Sequence, residues 1–279
     1  MNDFQETNRF HPIELIEDPN TQVKHFEPIL NARDRFSNRI FSSPNFAYRD
    51  REGEKVKAAL LVSLEGEEFI RANKDVLNDI DKGLSFMQRL SLADKNGKQR
   101  RIDLGTGRSL SYLTSGGQSD VYLLETQTGR YVVKILKPNR ARDTDASQPY
   151  INEMLQVQSI KTDLKGQLDR LGVEMPTFLF ASGVVSCTEF VDGVIPERFE
   201  VSPVSGSLKD IVRRYADEKR KTNSLWKKIA ADITTPAGNN KDILKTDNFI
   251  KRKKDGKLVW VDPLYYSSSM VDEMSQVFV

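Results

Sequence analysis

Lys134 stands inside a strand-like run, Tyr131-Val-Val-Lys-Ile-Leu136. Side chains alternate along a strand, so Val132, Lys134 and Leu136 share one face and Tyr131, Val133 and Ile135 the other. Both faces are apolar except for the lysine. Its ammonium therefore lies beside buried surface, where an unpaired charge is costly. Such a lysine either snorkels to water or meets an anion. Two features bear on the choice. Glu153 is the acid on a helical stripe with Val157, Ile160 and Leu164, so a helix packed on the strand could bring it to Lys134. Upstream, residues 114–120 (Thr-Ser-Gly-Gly-Gln-Ser-Asp) surround Gly116. A turn of such small residues lets backbone N–H groups approach phosphate closely. Each feature also has a plain reading, a glutamate near a helix start and a hairpin turn.

The elements that must position these residues are legible in outline. Residues 1–50, interrupted by Pro12, Pro19, Pro28 and Pro44, read as irregular or partly extended. From Glu54 to about Leu92 the apolar spacing predicts helix: Val56, Ala59, Leu60 and Ser63, then Phe69, Ile70, Ala72, Val76, Leu77 and Ile80. After a turn at 94–97 come four short β-like runs, Arg101–Leu104, Ser109–Leu113, Val121–Glu125 and Tyr131–Leu136, separated by glycine turns. That order predicts an antiparallel meander. Ser147 and Pro149 mark a helix start, and the helix continues to about Leu164 or Leu171. Residues 176–193 read as two more strands and a turn. Helix is expected again from about Ser207 to Ile233, with a break near Asn223. A hairpin over Asn248–Asp262 turns at Asp255-Gly256.

Composition narrows the classes. The chain has 279 residues, 38% hydrophobic and 29% charged, which suits a folded domain with a sizeable core. Net charge is +2 from 42 basic and 40 acidic residues, too balanced to argue for nucleic acid. The basic clusters at Lys219–Lys221, Lys227-Lys228 and Lys251–Lys254 read as solvated faces, with a docking surface for an acidic partner left open. The single cysteine, Cys187, permits no internal disulfide and suits a reducing compartment. No apolar run approaches the roughly 18 residues of a membrane span. Residues 1–10 lack the basic start and apolar core of a signal peptide. A cytoplasmic protein is expected, with secretion by a signal-less route left open.

In their order along the chain these segments resemble the protein kinase superfamily. "LTSGGQSDVYLLETQTGRYVVKILK" resembles the glycine-rich loop and lysine strand, with Gly116 as the central glycine and Thr114 and Ser119 where the outer glycines usually stand. Val121 matches the valine that covers the base, and Val132 takes the usual alanine position. "INEMLQ" resembles the helix whose glutamate fixes the lysine. "SCTEFVDG" resembles the strand and hinge that hold adenine, with Thr188 as gatekeeper and Glu189 to Val191 as hinge. "ILKTDNFIKRKKDGKLVWVDP" resembles the catalytic loop and metal strand, with Lys245, Asn248, Ile250 and Asp262 in matching places.

The resemblance covers about 105–267 and implies an α+β, bilobal kinase-like fold: an antiparallel β-sheet N-lobe and a reduced helical C-lobe. The expected domains are an N-terminal extension over 1–100, an N-lobe over 101–193 and a C-lobe over 194–279. It implies ATP with Mg²⁺ or Mn²⁺ as cofactors. Lys134 would hold phosphates and be fixed by Glu153. Glu189, Val191, Val121, Val132 and Ile250 would surround the base. Asn248 and Asp262 would hold the metal, Lys245 would neutralise the γ-phosphate, and Asp242 would be the base. The expected reaction is phosphoryl transfer to Ser/Thr of a protein.

Three departures stand out. Pro263-Leu264 follow Asp262 where the family has Phe-Gly. Few residues remain after Asp262, which implies no activation segment, as in the minimal kinases of phage and bacterial effectors. Ile243 occupies the position of the catalytic Asp, with Asp242 one residue earlier. Two alternatives follow, a nucleotide-binding pseudokinase that serves as an interaction module and a small-molecule phosphotransferase. Lys245 weighs against the second.

Overall fold

The structure is a computed structural model and describes residues 14–15, 36–49, 55–93, 101–116, 119–137, 149–219 and 246–261. The chain is α+β and divides into two compact units. One comprises Met1–Ile151 with Phe178–Cys187, the other Asn152–Thr177 with Thr188–Val279. Among the described residues no helix is long and apolar enough to cross a membrane.

The first unit is built on the expected meander. Four alternating runs form β4 (Arg101–Gly105), β5 (Arg108–Ser115), β6 (Ser119–Thr126) and β7 (Gly129–Leu136). Each pairs antiparallel with the next, and Val121 on β6 stands opposite Lys134 on β7. The pleat sorts their side chains. Tyr122, Leu124, Val133 and Ile135 enter one hydrophobic core, while Val121, Leu123, Val132 and Lys134 face the other way and are half-buried.

The core face is covered by the region expected to be a separate N-terminal extension. Residues Lys55–Val62 form a strand, β3, rather than the start of a helix. Leu60, Leu61 and Val62 are all fully buried. A run buried on both faces loses the period-2 signature, so its pattern cannot be told from that of a buried helix segment. Helix follows as α1 (Leu64–Ala72) and α2 (Val76–Ala93). Ser63 caps α1 by accepting the Gly66 N–H at 3.0 Å. Phe69, Val76, Leu77, Ile80, Leu84 and Met87 from these helices join the same core as Tyr122 and Val133. Residues 39–49, in the region expected to be irregular or partly extended, form a long strand, β2 (Arg39–Arg49), and Glu14–Leu15 form a short β1. Pro44 falls in the interval between Ser43 and Tyr48 where the β2–β3 register shifts.

Two later strands complete this sheet, β9 (Phe178–Ala181) and β10 (Val185–Glu189); β8 belongs to the second unit. Its order is β1-β2-β3-β9-β10-β7-β6-β5-β4. β3 pairs antiparallel with β9 through Leu61↔Ala181 and Val62↔Phe180. The expected boundary at residue 100 therefore does not coincide with a boundary in the structure: residues on both sides of it share one sheet and one core.

The second unit contains most of α3 (Pro149–Asp163), then α4 (Lys165–Leu171) and α5 (Arg198–Lys219). The α3 start at Pro149 matches the sequence reading, while its expected cap, Ser147, lies outside the described residues. So do the break near Asn223 and the helix expected to reach Ile233. Tyr215 on α5 donates its hydroxyl to Asp163 on α3 at 2.7 Å, and Lys219 pairs with the same carboxylate at 3.3 Å. A small sheet orders β11 (Gly193–Val194), β12 (Phe249–Arg252), β13 (Leu258–Trp260) and β8 (Val173–Glu174). The β12–β13 hairpin is the one expected. Gly256 turns it with a φ of 71°, and its N–H donates to the Arg252 carbonyl at 2.8 Å.

Candidate functional site

The site residues of the first unit gather on the half-buried side of the meander. Because Val121 pairs with Lys134 and Leu123 with Val132, these four side chains lie on one face of β6 and β7. Lys134 is half-buried, as are Val121 and Val132. The lysine thus shares its face with branched apolar side chains and lies on the side opposite the core. That is the arrangement the alternation predicts, with one refinement. The deeply buried face is the one carrying Val133 and Ile135, not the one carrying the lysine.

Gly116 sits at the end of β5, exposed, with its N–H donating to the Ser119 carbonyl at 2.8 Å. Lys137 Nζ donates to the Gly116 carbonyl at 2.5 Å. Among the described residues, a Cβ at Gly116 would meet the Ser119 carbonyl oxygen at 3.8 Å, an ordinary contact. Among the described residues, neither backbone conformation nor packing requires glycine here. Two hydroxyl bonds brace the turn: Ser115 Oγ donates to Asp120 Oδ1 at 2.7 Å, and Tyr150 donates to Ser119 Oγ at 2.6 Å. Burial, with the Asp120 charge and Tyr112 adding to it, pushes the Tyr122 hydroxyl up to about 12. Tyr122 is therefore a neutral core residue at physiological pH. Burial likewise pushes the Cys187 thiol up, so Cys187 is a packing residue rather than a nucleophile.

In the second unit Glu153 lies in the first half of α3 and is buried, as are Val157, Ile160 and Leu164 of the expected stripe. Burial is wider than that stripe, for Asn152, Met154, Leu155 and Gln156 are buried too. The α3 helix is thus enclosed on most sides at Glu153.

The expected hinge runs through Glu189 and Val191. Glu189 accepts the Thr177 N–H on Oε1 at 3.0 Å and returns its own N–H to the Thr177 carbonyl at 3.0 Å. This reciprocal pair fixes the chain as it leaves β10. Val191 and Thr188 are buried, whereas Glu189 is exposed. Ile250 lies half-buried on β12 opposite Val259. Gly193 meets this strand closely: a Cβ there would come within 2.4 Å of both Ile250 Cγ2 and the Lys251 carbonyl oxygen.

Asn248 closes a 3-10 turn, Thr246–Asn248, immediately before β12. Its carbonyl accepts the Val261 N–H at 2.9 Å, so the hairpin returns to Asn248 just before residue 262. Phe249 and Trp260 stack beneath it with centroids 6.2 Å apart. Asp242, Lys245 and Asp262 lie outside the described residues. Among the described residues, no group of three or more His, Cys, Asp or Glu side chains is placed to hold a metal ion.

The basic run Lys251–Lys254 is largely engaged within the unit. Lys251 pairs with Glu200, Arg252 with Glu174 and Asp255, and Lys253 with Asp192. Lys257 adds a further bond to Glu174 at 2.5 Å. Sequence reasoning took this cluster as a solvated face and missed its role in pinning the hairpin to β8 and α5. It also missed Tyr150 and Lys137. Tyr150 precedes Glu153 by one helical step of three, a spacing that was available as a signal.

No protein-family model matches the chain, and no curated protein matches it. Four solved chains do. One is the streptomycin–ATP–APH(2″)-IIa ternary complex, 14% identical over 64% of this chain and 69% of that one, with a TM-score of 0.24. A TM-score this low does not establish a shared fold.

Proposed function

We propose that the chain is an ATP- and Mg²⁺-dependent phosphotransferase of the protein-kinase-like superfamily that modifies Ser/Thr of a protein. The observation that carries the reading is the shared face of Val121, Val132 and Lys134 on β6 and β7, with Gly116 exposed at the end of β5. In this reading the valines lie against the base, Lys134 binds α- and β-phosphate oxygens, and the open turn at Gly116 lets phosphate approach the backbone. Glu153 orients Lys134. Glu189 and Val191 supply hinge backbone, and Ile250 lies beneath the base. Asn248 and Asp262 provide oxygen donors, which suit Mg²⁺ or Mn²⁺ as hard cations. Bound metal would neutralise phosphate charge, Lys245 would meet the γ-phosphate, and Asp242 would accept the proton of the substrate hydroxyl.

A specific observation favours a second reading. Ile243 stands where the family has its catalytic Asp, which supports a nucleotide-binding pseudokinase that acts through a partner. Incubation of the purified chain with labelled ATP, Mg²⁺ and generic protein substrates, beside Lys134→Met, separates the two. Transfer that Lys134→Met abolishes supports the enzyme. ATP binding with no transfer supports the second reading. Transfer to small hydroxylated or amino compounds alone would replace the protein substrate with a small molecule.

A further inference from the structure

Tyr150 is buried at the first turn of α3, yet its hydroxyl is not idle: it donates to Ser119 Oγ at 2.6 Å. Ser119 opens β6 and is held from two other sides. Its carbonyl accepts the Gly116 N–H at 2.8 Å, and it pairs in register with Leu136 on β7. Lys137, the residue after Leu136, reaches back to the Gly116 carbonyl. The turn that carries Gly116, the end of the strand that carries Lys134 and the start of the helix that carries Glu153 therefore converge on Ser119. Tyr150 and Glu153 are three residues apart on α3, so a shift at the first turn moves both. A phenylalanine would fill the space of the Tyr150 ring. The substitution removes the hydroxyl that donates to Ser119 Oγ.

We propose that Tyr150 is a positioning residue that couples the glycine-bearing turn to the helix of Glu153, so that phosphate bound at the turn also orders the start of α3. The inference rests on the nucleotide reading above. It adds a link that neither the sequence motifs nor the individual site residues contain. A neutral hydrogen bond of this kind is worth roughly 2- to 12-fold in an equilibrium. That is enough to change how far the helix start follows the turn without deciding whether the unit folds.

The test is hydrogen exchange on the full chain, free and with a non-hydrolysable ATP analogue and Mg²⁺, read over peptides covering 108–126 and 149–157. In wild type the analogue should slow exchange in both. In Tyr150→Phe and in Ser119→Ala it should slow the first and leave the second within twofold of the free protein. The double variant should match either single one, because both remove the same bond. A merely structural role would loosen the helix start equally with and without the analogue. Persistence of the analogue's effect over 149–157 in both single variants overturns the coupling. Additive effects of the two substitutions on free-protein exchange overturn the bond itself, whatever the nucleotide does. If the analogue changes neither peptide in wild type while the free-protein cycle is non-additive, the bond stands. The nucleotide reading then fails, and the proposed coupling falls with it.

Discussion

Val121 and Lys134 stand directly opposite one another on neighbouring antiparallel strands, on the face turned away from the hydrophobic core. A branched apolar side chain and a cation in cross-strand register suit a ligand with an aromatic end and an anionic end. ATP with Mg²⁺ should therefore raise the melting temperature, since a ligand that binds only the native state stabilises it by mass action, about 2.7 kcal/mol at a hundredfold excess over Kd. Lys134→Ala should remove most of that rise, and Val121→Ala should reduce it. An unchanged wild-type melting curve at millimolar ATP, with Mg²⁺ or Mn²⁺, would sink the assignment.

Two glycines separate what the fold needs from what a ligand needs. A Cβ at Gly66 would lie 1.8 Å from the Leu179 carbonyl oxygen, whereas one at Gly116 has room. Gly66→Ala should destabilise the free protein by about 1–3 kcal/mol through forced backbone movement in the core. Gly116→Ala should leave chemical denaturation unchanged within about 0.5 kcal/mol and weaken nucleotide binding. Loss of stability in Gly116→Ala, with nucleotide binding intact, would return Gly116 to a structural role.

How much of this was legible follows from how each run is buried. The meander from Arg101 to Leu136 showed itself because β6 and β7 keep one face in the core and one half-buried, and glycines mark the turns. Lys55–Val62 did not, because Leu60, Leu61 and Val62 are buried together and an apolar run without alternation mimics helix. β2 was hidden by Pro44 and by the register shift that accommodates it. The half-buried placement of Lys134 on β7 was readable from a single charge in an apolar strand. The bond from Tyr150 to Ser119 was not: the spacing of Tyr150 from Glu153 could flag the tyrosine, but its partner lies 31 residues away. Long-range pairings, such as Leu61 with Ala181, leave no trace in local spacing.

The hairpin charges give a pH dependence with a definite sign. Hydrogen bonding and charge from Arg252, together with the Lys257 N–H and ammonium, pull the Asp255 carboxyl down from 3.8 to about 2. The Lys257 hydrogen bond, followed by Arg252, holds Glu174 below the usual carboxylate range against a smaller opposing effect of burial. A depressed folded-state pKa contributes stability above the unfolded value and loses it as pH falls through the folded one. Wild type should therefore be more stable than Asp255→Asn near neutrality. The gap should close as pH falls from about 4, be mostly lost by about pH 2 and vanish below it. Added salt should narrow the gap at pH 7, because Asp255 is exposed. Denaturant titrations across that pH range measure it; a gap that stays constant down to pH 2 would show that the carboxylate charge is not the source.

The last expectation concerns how the chain reaches Asn248, whose backbone the hairpin fixes through Val261. The spacing of the protein kinases that the sequence resembles would put an acid at position 243, where this chain has isoleucine, with Asp242 beside it. If Ile243 is an inserted residue, Asp242 can still serve as the base. A general base typically contributes about 10²- to 10⁴-fold in rate by accepting the proton of the attacking hydroxyl. Asp242→Asn should then leave the ATP-dependent rise in melting temperature intact and cut phosphoryl transfer by about that range. Deletion of Ile243 should retain measurable transfer, because it restores the spacing between acid and Asn248. Asn248→Ala should act differently, weakening the Mg²⁺-dependent part of nucleotide binding as well as transfer, because in the proposed site it removes an oxygen donor to the metal. Single-turnover assays at saturating ATP, with the melting shift measured on the same samples, separate the two effects. Transfer by Asp242→Asn at the wild-type rate removes Asp242 from the mechanism. A wild-type chain that binds ATP and transfers to no protein leaves Ile243 as the mark of a pseudokinase.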